Sequence, residues 1–224
     1  MSGISPWSFS RIKSFEQCPK KFYHLKIAKN YSESETEAML YGTVAHEAAE
    51  LYIRDGEPLP EAFKYMEPTL KVLSEMQGEK LCEYEMGLTE NLEPCGFKDE
   101  NVWFRGIADL VILDRENKKA KVIDYKTGKS AKYADKGQLE LMALALFKHF
   151  PEIEIVKAGL LFTVANKFIT DTYYKEHEQK LWRKWLTDYG QMEAAFKNDV
   201  WNAHPSGLCR RHCVVTECPH NGRN

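Results

Sequence analysis

The sequence has no apolar run approaching the roughly twenty residues that cross a bilayer. Its opening stretch, MSGISPWSFSRIKSF, lacks the apolar core of an export signal. A cytoplasmic location with no membrane partner is therefore expected. There is no internal repeat and no low-complexity segment, which excludes solenoids and arrays. Charge of one sign is also missing. With 31 basic and 33 acidic side chains the formal net charge is −2, so no overall field marks a polyanion partner. An acidic metal site offsets basic residues elsewhere, so a nucleic-acid substrate is not excluded. Finally, the stretch VIDYKTGKS (122–130) ends like a phosphate-binding loop but lacks the glycine that such a loop needs five residues before Gly128. Ile123 stands there, inside a strand-like run, and nucleotide binding of that kind is excluded.

What remains is an ordinary globular composition. The 224 residues are 43% hydrophobic and 29% charged, enough for one domain with a sizeable core. Ser8 or Ser10 can cap a short helix over 8–17, and Cys18-Pro19 ends or bends it. Helices are expected over 43–54, starting at Gly42-Thr43, and over 60–78. Strands follow over 83–89, 101–113 and 120–125, and the turn Asp114-Arg115-Glu116-Asn117 makes the last two a hairpin. Residues 137–150 are apolar nearly all round, as in a helix buried on a sheet. Strands over 155–164 and 168–174 and an amphipathic helix over 176–198 complete the pattern. The fold class is α/β: a central mixed β-sheet flanked by helices.

The hairpin carries the chemistry. Asp109 is embedded in the apolar run GIADLVI, where an unpaired charge is costly. Asp124 and Lys126 share one face at the end of the next strand, because side chains alternate. Two neighbouring carboxylates suit a hard divalent cation. A lysine beside them can orient a water or stabilise charge on a reacting phosphate. His46 lies in His-Glu-Ala-Ala-Glu, where a zinc-peptidase motif would need a second histidine in place of Glu50. Three cysteines in the ten residues 209–218 (CRRHCVVTEC) point to a metal site, with a fourth ligand either local, from His212 or His220, or distant. Cys82 and Cys95 fall outside these groups and read as structural or incidental.

Five stretches in order, SFSRIKSFEQCPKKFYH (8–24), YGTVAHEAAE (41–50), GIADLVI (106–112), VIDYKTGK (122–129) and QLELMALAL (138–146), resemble the PD-(D/E)XK nuclease superfamily in its RecB-like branch. That branch includes the exonuclease domains of bacterial helicase–nucleases and the CRISPR-associated adaptation nucleases. The resemblance implies a restriction-endonuclease-like core over about 40–175 in a single nuclease domain spanning 1–224. It implies a Mg²⁺- or Mn²⁺-dependent DNA exonuclease, prokaryotic or virus-encoded, acting on single strands or ends. Such an enzyme works alone, as a homo-oligomer, or with a helicase or recombination partner. Position by position, Asp109 and Asp124 match the metal-binding acids and Lys126 the catalytic lysine. His46 matches a branch-specific metal ligand. Gln138 matches a glutamine that helps position DNA, although the tyrosine four residues on is Met142 here. Glu85 matches an upstream acid, with Glu83 competing for the assignment.

In iron–sulfur members of that branch, one cysteine before a proline near the N-terminus joins three at the C-terminus. The resemblance thus implies that Cys18, Cys209, Cys213 and Cys218 hold a [4Fe–4S] cluster joining segments 1–30 and 199–224. The tail departs from the usual two and five intervening residues, leaving three and four. Zn²⁺ bound by three cysteines and a histidine is the alternative. Functional alternatives are a non-catalytic nucleic-acid-binding module on the same fold and a zinc-stabilised phosphodiesterase.

Overall fold

A computed structural model describes residues 4, 6–132 and 134–222. The outermost residues of the two expected cysteine segments (1–3, 5, 223 and 224) lie outside that range. The chain divides into two compact units, one made of Met1–Glu35 with Arg183–Asn224 and the other of Thr36–Trp182.

The larger unit is built on a mixed six-stranded sheet of order β2-β1-β3-β4-β5-β6. Its strands are β1 (Glu79–Leu88), β2 (Pro94–Cys95), β3 (Phe104–Asp114), β4 (Lys119–Lys126), β5 (Ile155–Phe162) and β6 (Lys167–Tyr174). β3 and β4 form the expected antiparallel hairpin, with Leu110 opposite Ile123 as the last paired rung towards the end of β4. β4 and β5 run parallel, which requires a crossover. The crossover is α5 (Gly137–His149), whose residues from Leu141 to Phe147 are all buried. The remaining neighbours in the sheet are antiparallel.

Two helices lie on the opposite face, α3 (Glu37–Asp55) and α4 (Glu67–Glu75). Ala45, Ala48 and Ala49 of α3 and Leu70 and Leu73 of α4 pack with Leu110, Ile112, Ile123, Tyr125 and Leu161 of the sheet. The alanines bring the α3 backbone close to the strands. α3 starts two turns earlier than the apolar periodicity suggests, because the Thr36 side chain accepts from Met39 N–H and caps it there. The expected helix over 60–78 resolves into a 3₁₀ segment (Glu61–Met66) leading into α4, with Pro68 in its first turn.

The smaller unit holds α1 (Phe9–Gln17), capped by Ser8 rather than Ser10, and α2 (Pro19–Phe22), which Cys18 caps through its sulfur. A π-helical turn (Tyr23–Ile27) follows α2. The last helix, α6 (Glu178–Asn198), leads to the cysteine-bearing tail. No described helix is long and apolar enough to cross a membrane.

Candidate active site

Beyond the Leu110–Ile123 rung, β3 and β4 stop pairing, and the next residues on the two strands are Asp109 and Asp124. Both are buried, at 8% and 3% exposure. The Asp109 carboxylate accepts from the Tyr125 backbone N–H, taking the place of the missing ladder bond. Across the other edge of β3, Glu83 stands opposite Asp109 in the β1 register, between the paired rungs Cys82–Leu110 and Tyr84–Ala108. Its φ of 46° is left-handed, rare for a non-glycine residue inside a strand. Strain of this kind persists where surrounding structure over-determines it, commonly at functional sites.

His46, Glu83 and Asp109 bring one ligand atom each to within 4.8 Å of the others, close enough to grip a metal ion together. His46 Nδ1 is 3.4 Å from Asp109 Oδ1, and its ring meets Tyr125 edge-on. Asp124 is held separately. Its Oδ2 lies 2.6 Å from Lys126 Nζ, and its Oδ1 accepts from Gln138 Nε2. Gln138 Oε1 in turn accepts from Lys126 Nζ at 3.0 Å. Asp124, Lys126 and Gln138 thus close a triangle, and the first turn of α5 fixes the lysine. The Asp124 Oδ2 atom is buried and is paired with the Lys126 ammonium. A His/Glu/Asp group with its ligand atoms within reach of one another, beside a second buried carboxylate, fits a hard or borderline divalent cation.

Every residue singled out at this site therefore reaches it except Glu85, which is exposed and outside the ligand group. Of the two competing acids, Glu83 is the one that lies beside His46 and Asp109. The reason is the register, which sets Glu83 and not Glu85 opposite Asp109. The Tyr125 N–H, which positions Asp109, carries no sequence signal because it is a backbone group.

The electrostatics follow from crowding. Burial, then the Asp109 charge, push the Asp124 carboxyl up to about 6 despite Lys126. Burial, then Asp109, push Glu83 up to about 7. Burial pulls His46 down, but Asp109, with Asp124 and Glu83 behind it, outweighs burial and leaves the imidazole above its usual value. The metal-free folded chain therefore binds more protons than the unfolded chain between about pH 4 and 7. For all three groups that means stability present at low pH and lost as pH rises. Urea melts in a chelator should show a midpoint that falls between pH 5 and pH 7.5. Added Mn²⁺, which competes with those protons, should stabilise more at pH 7.5 than at pH 5. A midpoint unaffected by both pH and Mn²⁺ would contradict this crowding.

In the smaller unit, Cys18, Cys209, Cys213 and Cys218 line one cavity together with His204 and His220. None of the six cysteines forms a disulfide. Backbone N–H groups point at the sulfurs: Lys21 and His204 donate to Cys18 Sγ at 3.5 and 3.4 Å, and Ser206 donates to Cys209 Sγ at 3.4 Å. Asn221, 4% exposed, braces the loop by donating to the carbonyls of Cys213 and Val215. His212 lines an adjoining hollow with Cys18, Cys209 and Cys213.

A family model described as the PD-(D/E)XK nuclease superfamily matches residues 6–219. A solved structure named a putative exonuclease, from Eubacterium rectale, is similar at 13% identity and a TM-score of 0.53, covering 95% of this chain and 89% of that one. A second, the crystal structure of SSO0001, is similar at 12% identity and a TM-score of 0.43, covering 94% and 85%. No curated protein matches.

Proposed function

The chain belongs to the PD-(D/E)XK nuclease superfamily, and from that premise we propose that it is a Mg²⁺- or Mn²⁺-dependent DNA exonuclease. The observation that carries this reading is the buried pair Asp109 and Asp124, flanked by His46 and Glu83 on one side and Lys126 on the other. His46, Glu83 and Asp109, with Asp124 adjacent, would hold the divalent cation. A cation there would polarise a phosphoryl oxygen and lower the pKa of a bound water. The chain's own contribution is placement. Gln138 holds the Lys126 ammonium beside Asp124, where it can donate to an oxygen of the scissile phosphate as charge builds. The carboxylates, once ionised, accept the proton of the attacking water.

DNA as substrate and attack from an end rest on the resemblance of the motifs, and the Eubacterium rectale structure, named an exonuclease, supports the second of these. Linear and circular single-stranded DNA of equal length separate the possibilities. The exonuclease reading expects mononucleotides from the linear strand and an intact circle. A nicked circle would make the protein an endonuclease, and two intact substrates would favour a non-catalytic binding module.

His46 gives a graded test of the ligand set. Imidazole suits Mn²⁺ better than Mg²⁺. The parent should be more active with Mn²⁺, and His46→Ala should raise the half-saturating Mn²⁺ concentration roughly tenfold or more while shrinking that preference. A metal titration that His46→Ala leaves unmoved would remove the histidine from the site.

The four-cysteine cavity fits a thiolate-bound cluster. Four sulfurs line it beside His204 and His220, with no carboxylate among the lining residues, and N–H···S bonds of this kind tune iron–sulfur centres. A [4Fe–4S] cluster on Cys18, Cys209, Cys213 and Cys218 is the reading proposed. Its role is structural, tying the first helices to the tail within the smaller unit. Zn²⁺ is the alternative occupant.

A further inference from the structure

The β5–β6 hairpin is fastened to Lys126 through its backbone. Thr163, the first residue after β5, donates twice to the Lys126 carbonyl, through its N–H at 2.9 Å and its hydroxyl at 3.3 Å. Residues 163–166 then turn the chain into β6. Asn166 takes a left-handed conformation, φ 47°, which asparagine tolerates better than most residues and which suits a tight turn. β6 therefore starts at a fixed place beside the candidate active site, and its first residue is Lys167.

The register says where Lys167 stands. Lys126 on β4 pairs with Phe162 on β5, and Phe162 pairs with Lys167 on β6. Residues paired across a sheet lie on one face, so Lys126 and Lys167 share a face with the buried Phe162 between them. Two strand spacings put the Cα atoms of the lysines about 10 Å apart. What holds the two side chains differs. Lys126 is engaged by Asp124 and Gln138. Lys167 is exposed and, among the described residues, forms no ion pair. Lys136, before α5, is by contrast paired with Asp171 at 3.3 Å. An ammonium set in line with Lys126 and left without a carboxylate is available to an anion. At about 3.4 Å of rise per nucleotide in a stacked strand, 10 Å is about three nucleotides. A strand whose scissile phosphate lies at Lys126 carries further phosphates at that distance.

We propose that Lys167 binds a backbone phosphate of the substrate strand within about three nucleotides of the scissile one. The row Lys126–Phe162–Lys167 then sets the direction in which the strand crosses the sheet. The partner is the phosphodiester backbone, so the contact carries no base preference. This rests on the nuclease reading above and adds a binding residue outside the metal ligands and the Asp124–Lys126–Gln138 triangle.

The test measures binding in a chelator, so that it stands apart from catalysis. Fluorescence anisotropy follows a single-stranded oligonucleotide over a series of salt concentrations. Each phosphate contact on a single strand contributes about 0.7 to the slope of log affinity against log salt. Lys167→Gln should lower the slope by about that amount and weaken binding about threefold or more at roughly 0.1 M salt, and Lys167→Arg should restore both. Lys157→Gln is the control. It removes the same charge from another exposed position, but Lys157 lies an odd number of residues before Phe162 on β5 and so faces the other side of the sheet. Its slope should match the parent's. With Mn²⁺ present, Lys167→Gln should raise KM for the oligonucleotide by a similar factor and leave kcat in place. Equal slopes for the parent and Lys167→Gln would overturn the contact. So would an equal loss in Lys157→Gln, because net charge alone would then explain it. A loss that comes with a lowered melting temperature would make Lys167 structural and overturn it too. A parent that binds with the expected slope change in Lys167→Gln, yet cleaves nothing, would instead refute the nuclease reading and leave the phosphate contact standing.

Discussion

Asp124→Asn is expected to lower DNA cleavage by about a thousandfold, the scale on which single charge-stabilising groups act in closed sites. The substitution keeps the volume and an oxygen for Gln138 to donate to, so α5 stays in register with β4. It removes the negative charge that holds Lys126 and that would complete the ligand set around the cation. Folding should not suffer. Burial and repulsion from Asp109 make the ionised Asp124 carboxylate costly, and a neutral amide relieves both. The melting temperature at pH 7.5 in a chelator should therefore equal or exceed the parent's. Binding of single-stranded DNA should persist, because phosphate contacts elsewhere are unchanged. Loss of activity with gain of stability is the pattern of a group retained for chemistry. A variant that cleaves at the parent rate, or that loses activity only because it unfolds, contradicts this assignment.

If the smaller unit holds the proposed metal, Cys18→Ser should remove it and lower the unit's stability by a few kcal/mol, by analogy with cross-links that close long loops. The choice of serine matters. Cys18 caps α2 by accepting from Lys21 N–H, and a serine hydroxyl serves that cap as well or better. A loss of stability then reports the metal link rather than the helix end. Parent protein purified without oxygen should be brown and contain iron and sulfide. The variant should be colourless, with both termini more open to protease. A parent that is colourless and yields zinc to a chelator would replace the cluster by the zinc alternative. Full metal content and stability in Cys18→Ser would leave a tail-local site in which a histidine supplies the fourth ligand.

The sheet was legible because its strands are bounded by strong turn chemistry and by a β3–β4 connection of four polar residues. Alternation put Asp124 and Lys126 on one face, the resemblance of the motifs added Asp109, and the register places Asp109 one rung beyond the last pair. The start of α3 was not legible. Its first two turns bury nothing, so no periodicity marks them, and only the Thr36 cap sets the boundary. The choice between Glu83 and Glu85 was left open for a related reason. Glu83 and Glu85 differ by one strand period and so look alike in sequence. The β1–β3 register, fixed by packing along the whole strand, decides between them. The gathering of Cys18 with the tail cysteines was suggested by the motif resemblance and not by any local pattern, since 191 positions separate Cys18 from Cys209.

The central claim is metal-dependent phosphodiester cleavage at the Asp109–Asp124–Lys126 site. Its most direct test uses protein stripped with a chelator, dialysed, and given end-labelled single-stranded DNA with increasing Mn²⁺, alongside Asp124→Asn and Lys126→Ala at the same metal concentrations. The account predicts no cleavage by the stripped parent, full recovery on adding Mn²⁺, and no recovery in either variant. Cleavage by the stripped parent, or equal recovery in the variants, would contradict it.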